Sequence, residues 1–217
     1  ISALAAAVDW QPGDVVVRTD LEHPAGVLPW QRAARQHGIE IRVVETDQGR
    51  IDLDSYTEAV GDARLVCFSS LSWSYGTRLP VAELVDIAHD ANCEVLVDAV
   101  QSAGQTAMDL DAWGAEYVAG SGHKWLLGPW GSGYLYVREG CGEDLHPAQV
   151  CYNSVEDPDA EEYTLKSTAH KFERGTASPA PHVGMAAAVD LLESVGLATI
   201  EQRLEQLTDR LKMGIPT

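Results

Sequence analysis

The sequence predicts an α/β fold, a mainly parallel sheet with helices on both faces. Short apolar, β-branched runs alternate with helical patterns, the signature of βαβ units. The strand runs are apolar almost throughout instead of alternating, as in strands covered on both faces. With 217 residues, 45% of them apolar, there is enough chain to bury a core around such a sheet.

The chain opens on an apolar helical pattern over residues 1–8. Val15–Thr19 reads as the first strand, and a helix over 28–37 leads through Gly38 to a second strand over 39–44. Asp52 is a plausible N-cap for a helix at Leu53–Val60. Leu65–Ser69 and Glu94–Asp98 read as strands on either side of a helix over 81–92. Strands over 117–119 and 133–138 follow. Residues 139–180, with several Gly and Pro and an acidic cluster at 156–162, predict an irregular, exposed excursion. Helical spacing returns over 182–194 and 198–212, broken at Gly196.

Charge excludes several functions. Asp and Glu number 33 against 15 Lys and Arg, giving a formal net charge of −18, which repels nucleic-acid phosphates and anionic lipid. No run approaches the roughly 18 apolar residues that a membrane helix needs. The expectation is therefore no nucleic-acid partner and no membrane. The 11 Arg and 4 Lys, with carboxylates spread along the whole chain, suggest the hydrated coat of a halophilic protein, an ordinary acidic protein being the other reading. Cys67, Cys93, Cys141 and Cys151 form no C-x-x-C pair and read as reduced thiols, hence a cytoplasmic location. Both ends of the chain read as cut, so an internal piece of a longer protein is expected.

In open α/β sheets the chemistry lies beyond the carboxyl ends of the strands, and three such ends stand out. Asp98 ends an apolar strand, E-V-L-V-D-A-V-Q, with Gln101 three residues on. A carboxylate there needs a cationic or donor partner, unless it merely caps the next segment. The fifth strand runs into G-S-G-H-K-W-L-L-G-P-W-G-S-G, where five glycines between 120 and 133 let backbone approach a ligand and Lys124 sits among aromatic neighbours. Desolvation would favour its neutral, nucleophilic amine; a surface lysine on a turn is the alternative. A nucleotide loop is a poor fit, because the glycines feed a strand. His23 follows the first strand in E-H-P-A-G, on the same sheet edge. A lysine for a Schiff base, a carboxylate for a ring nitrogen and a flat side chain for stacking describe a pyridoxal 5'-phosphate site.

V-D-A-V-Q-S-A-G followed by A-G-S-G-H-K-W-L-L-G-P-W-G-S-G-Y-L-Y-V closely resembles the class V aminotransferase family of fold-type I pyridoxal phosphate enzymes. E-H-P-A-G-V-L-P-W and K-F-E-R-G-T look like two further blocks of it. The resemblance implies that residues 1–195 are a large cofactor-binding domain, incomplete at its start, and that 196–217 is a helix leading toward a small C-terminal domain. It also implies that Lys124 carries the cofactor and moves protons, Asp98 pairs with the pyridinium, Gln101 bonds the ring hydroxyl and His23 stacks on the ring. Ser121 and His123 would hold the phosphate. Gly175-Thr176 would reach the phosphate of a neighbouring subunit, implying a homodimer with shared sites, and the substrate would be a small amino acid. Where many cysteine desulfurases have Asn, this chain has Trp73 and Gly26. The expected activity is therefore aminotransferase- or epimerase-like, with cysteine desulfurase or selenocysteine lyase as the alternative and a catalytically silent scaffold as the non-enzyme reading.

Overall fold

A computed structural model of the chain describes residues 1–214. Six strands, β1 (Val15–Thr19), β2 (Glu40–Val44), β3 (Leu65–Ser69), β4 (Glu94–Asp98), β5 (Tyr117–Ser121) and β6 (Gly133–Val137), form one sheet in the order β2-β1-β3-β4-β5-β6. All neighbouring strands run parallel except β6, which returns antiparallel to β5. The helices are α1 (Ser2–Ala5), α2 (Pro24–His37), α3 (Leu53–Val60), α4 (Val81–Asp90), α5 (Leu110–Trp113), α6 (Pro179–Val195) and α7 (Leu197–Gly214). The predicted strands thus all form, and residues 215–217 of the expected final segment lie outside the described residues.

Alternation along each strand divides the core into two layers. Val17, Val66, Phe68, Val95, Val97 and Val118 face Tyr56 and Val60 of α3 and Leu84, Val85 and Ala88 of α4. Val16, Leu65, Cys67, Leu96 and Tyr117 face Leu4 of α1 and Trp30 and Ala33 of α2. Helices therefore cover both faces, which is why β3 is buried at every residue. No single helix among the described residues is long and apolar enough to cross a membrane, and α6 and α7 are bent by 75° where they join.

Several boundaries move for local reasons. The first helix stops at Ala5, whose carbonyl accepts the Trp10 indole N–H at 2.7 Å. α2 starts four residues before the apolar periodicity shows, because Pro24 stands in its first turn and His23 Nδ1 accepts the Ala25 N–H. α4 stops at Asp90 ahead of Asn92, which takes a left-handed conformation at φ 57°. β5 runs on to Ser121 because β6 pairs with it as far as Ser121 and Gly133.

The excursion over 139–180 is less exposed than its composition predicts. Leu145, Val155 and Ser154 are buried, and Lys171 is only 1% exposed. Lys171 Nζ donates to the carbonyls of Gly142 at 2.6 Å and Leu145 at 3.0 Å, so a cation gathers a loop that has little apolar material of its own. Burial lowers the pKa of that amine.

One close approach ties the turn after β4 to the turn after β5. Gly104 has φ +96°, and a Cβ there would stand 2.2 Å from the Trp125 carbonyl oxygen. Gly104→Ala is expected to cost at least about 2 kcal/mol, from a strained dihedral and forced separation of the two turns. A urea midpoint unchanged from wild type would refute this.

Candidate active site

Strands β1, β3, β4 and β5 end side by side, and the sheet changes direction of winding between β1 and β3. An open α/β sheet leaves a crevice at such a switch point. A cavity of about 340 Å³ lies at this edge, lined by His23 and Ala25 after β1, Ser69, Leu71 and Trp73 after β3, Asp98, Val100 and Gln101 after β4, and Ser121, His123 and Lys124 after β5. The six residues expected at this chain's own cofactor site are thus brought together.

Asp98 is 6% exposed. Its Oδ1 accepts the Val100 N–H at 2.9 Å. Burial pushes its pKa up, opposed by that hydrogen bond and by the charges of His23 and Lys124. A buried carboxylate facing a cavity is stabilised by a cationic N–H. His23 accepts at Nδ1, so its neutral form carries the proton on Nε2, and the ring packs edge-on against Trp73 at 5.2 Å between centroids. Gln101 accepts the Trp125 indole N–H on Oε1 at 2.9 Å, which leaves its NH2 group to donate. Ser121 Oγ and His123 Nδ1 are 2.6 Å apart, and the His123 ring stacks on Trp130 at 4.2 Å.

One expectation is corrected. Lys124 is exposed, not desolvated, because Trp125 and Trp130 turn toward solvent at the sheet edge, Trp130 being 80% exposed. Thr176 is outside the cavity: its Oγ1 bonds Tyr152 Oη at 2.7 Å, while Asn153 Nδ2 donates to the Gly175 carbonyl at 2.8 Å and the Gly175 N–H points to Cys151 Sγ at 3.1 Å. Residues 151–153 hold that loop at a separate position.

Sequence reasoning gave no role to Glu22. It is 6% exposed and accepts from Thr19 Oγ1 at 2.7 Å, Ser69 N at 3.0 Å and Ser69 Oγ at 2.7 Å. Burial pushes its pKa up to about 7 against those hydrogen bonds, with the Asp98 charge adding to the rise. The available signal was a Glu directly before the site histidine with hydroxyl residues at two neighbouring strand ends.

The donor set fits pyridoxal 5'-phosphate: one amine, one buried carboxylate with an oxygen free of protein donors, one imidazole held on edge, and hydroxyl and imidazole groups together after β5. The fold is that of the fold-type I pyridoxal phosphate enzymes. The chain belongs to the class V aminotransferase family, whose profile, "Aminotransferase class-V", matches residues 1–217. A probable cysteine desulfurase of Methanothermobacter thermautotrophicus is 35% identical over 97% of this chain and 53% of its own length. The apo structure of cysteine desulfurase from Thermococcus onnurineus is 33% identical, with a TM-score of 0.92 over 98% of this chain and 54% of that one. A mutant of C-DES with glycine covalently linked to its PLP cofactor is 29% identical, with a TM-score of 0.85 over 96% of this chain and 56% of that one. The chain spans about half the length of the curated relatives it matches.

Raising Glu22 from its ordinary 4.5 to about 7 means that the folded state holds this proton more tightly than the unfolded chain. The associated stability is full below about pH 4.5 and is lost as pH rises through about 7. Glu22→Gln abolishes that titration, so between pH 5 and 8 the variant should gain up to about 3 kcal/mol on wild type in chemical denaturation. Parallel pH profiles for the two proteins would show that Glu22 titrates normally.

Proposed function

We propose that this chain is the cofactor-binding part of a pyridoxal 5'-phosphate-dependent lyase of the cysteine desulfurase kind, acting on a small sulfur-containing amino acid. The observation that carries the reading is that Lys124, Asp98 and His23, from three separate strand ends, line one cavity. The names of the relatives favour a desulfurase over the aminotransferase or epimerase activity expected from Trp73 and Gly26.

Bound pyridoxal phosphate supplies an electron sink for the substrate α-carbon. In this reading Asp98 would accept the ring N–H on its open oxygen, and its negative charge would favour the protonated ring nitrogen. His23 offers a flat face whose orientation is fixed by the Ala25 N–H and the Trp73 edge. Gln101 donates its NH2 to the ring oxygen, since Trp125 occupies its carbonyl. Ser121 and His123 donate to the phosphate. Lys124 would hold the cofactor through Nζ, and its free amine would be the group that moves the proton at the substrate α-carbon.

Residues 1–195 serve in this proposal as the cofactor domain and α7 as the helix leaving it, with Glu201 joining α7 back to Arg78 and to the Ala107 N–H. The anchored position of Thr176, away from this cavity, supports a homodimer in which it reaches the other copy's site. The free thiols of Cys67, Cys93, Cys141 and Cys151 support a reduced, cytoplasmic setting, and 11 Arg against 4 Lys supports the halophilic reading.

Borohydride reduction of the full-length protein with pyridoxal phosphate, followed by peptide mapping, should place the modification on Lys124. Attachment elsewhere, or none, would sink the assignment. Incubation with cysteine and excess dithiothreitol in deuterated buffer separates the activities: a desulfurase leaves alanine and passes sulfane sulfur to a thiol, from which the dithiol reduces it to sulfide, whereas α-deuterium incorporation or loss of the amino group without sulfide points to the epimerase or aminotransferase reading.

A further inference from the structure

The carboxyl of Glu22 is spent on neither the proposed chemistry nor an ion pair among the described residues, although it lies beside the site. Its three donors come from two strands. Thr19 is the last residue of β1, and Ser69, the last of β3, is the direct register partner of Asp98 on β4. Glu22 therefore spans the crevice where the sheet changes direction, one residue before His23. The groups that face it are Thr19 on β1, Ser69 and Cys67 on β3, and Asp98 on β4; the two carboxyls and the thiol supply no countercharge. Gly26, in the first turn of α2, leaves it room: a Cβ there would stand 3.3 Å from Glu22 Oε2.

We propose that Glu22 is a positioning residue that clamps the ends of β1 and β3 together and thereby fixes the turn on which His23 stands over the Asp98–Lys124 cavity. The inference rests on the cofactor reading above, and it adds a residue to it. The side chain length is what matters. A Glu with its oxygens between Thr19 and Ser69 holds the Glu22–His23 peptide against the strand ends, and His23 then caps α2 through Ala25. Without the clamp, the strand-side hydrogen bonds of residues 20–23 are the Leu21 N–H to Thr19 Oγ1, the Asp20 N–H to the Val44 carbonyl and Thr46 Oγ1 to Asp20 Oδ1, with Leu21 packed in the core; none of them joins His23 to the end of β3. Charge is secondary: an amide can accept from Thr19 and Ser69 N on its oxygen and donate to Ser69 Oγ from its nitrogen.

The test uses full-length protein loaded with pyridoxal phosphate and reads two quantities: the cofactor dissociation constant and the visible circular dichroism of the bound cofactor, which reports the asymmetry of its surroundings. Glu22→Ala should weaken binding at least tenfold and reduce the visible ellipticity at least twofold, with Glu22→Gln restoring both to within threefold and one-fifth of wild type. His23→Ala should produce a change of the same kind, and Glu22→Ala added to His23→Ala should cost no more than twofold beyond it, since Glu22 acts through His23. Effects of the two that multiply in full would overturn the proposal. So would Glu22→Ala with binding and ellipticity of wild type, or Glu22→Gln as impaired as Glu22→Ala. Glu22→Asp decides the case if the alanine variant does not fold: the shorter carboxylate keeps the charge but cannot span to Ser69, and wild-type values for it would overturn the clamp. A different failure marks the cofactor reading itself: wild-type protein that shows no visible band from Lys124, or His23→Ala with an unchanged band.

Discussion

A carboxylate at the tip of a strand covered on both faces is the constraint around which this edge of the molecule is arranged. Asp98 stands there because β4 is flanked by β3 and β5 and sealed by helices above and below, so water reaches it only from the cavity. Its own turn satisfies one oxygen, through Val100. The other needs a donor, and a protonated ring nitrogen meets that need more fully than water at a half-closed surface does. The parallel sheet thus creates both the problem and the place where a cationic ligand solves it, because every neighbouring strand also ends there.

Acidic residues and scarce lysine make the use of each cation informative. The chain has 4 Lys, and one of them, Lys171, is spent inside the protein on two loop carbonyls. Another, Lys124, lines the cavity that the buried Asp98 carboxyl also lines. Among the described residues no arginine lines that cavity, and its basic groups are one amine and two imidazoles. In such a setting the cation on the ligand is worth more to Asp98 than it would be in an evenly charged protein, since no neighbouring guanidinium competes for the carboxylate.

How far the sequence could be read follows from what each element depends on. β1, β3, β4 and α3 were legible to the residue, because near-continuous apolar runs of Val, Leu, Cys and Phe mark strands buried on both faces and Asp52 marks the start of α3. The start of α2 was hidden, since its first turn, P-A-G-V, carries no amphipathic stripe and is set by Pro24 and a histidine cap. Lys171 and the buried part of 139–180 were hidden for another reason: a lysine bonded to loop carbonyls has no sequence signature distinct from a surface lysine. The site residues were legible as types at strand ends. Their environments were not, and Lys124 and Glu22 show why: exposure of one and burial of the other depend on how turns from four strands settle against one another.

Tryptophan resolves part of that settling. Trp10 and Trp30 belong to the core layer beneath the sheet and pack edge to face at 6.2 Å. The other three near the site are at least two-fifths exposed, and each touches a different polar residue: Trp73 the edge of His23, Trp125 the carbonyl of Gln101, Trp130 the face of His123. An indole has few rotamers to lose and offers both a flat surface and one N–H, so it can fix a neighbour's orientation at low entropic cost even when half in water. Glycine-rich turns cannot supply that rigidity themselves. Exposed aromatics around a polar cavity therefore need no partner surface to account for their contacts here, and the orientation of His23, Gln101 and His123 depends on them as much as on the strands that carry these residues to the edge.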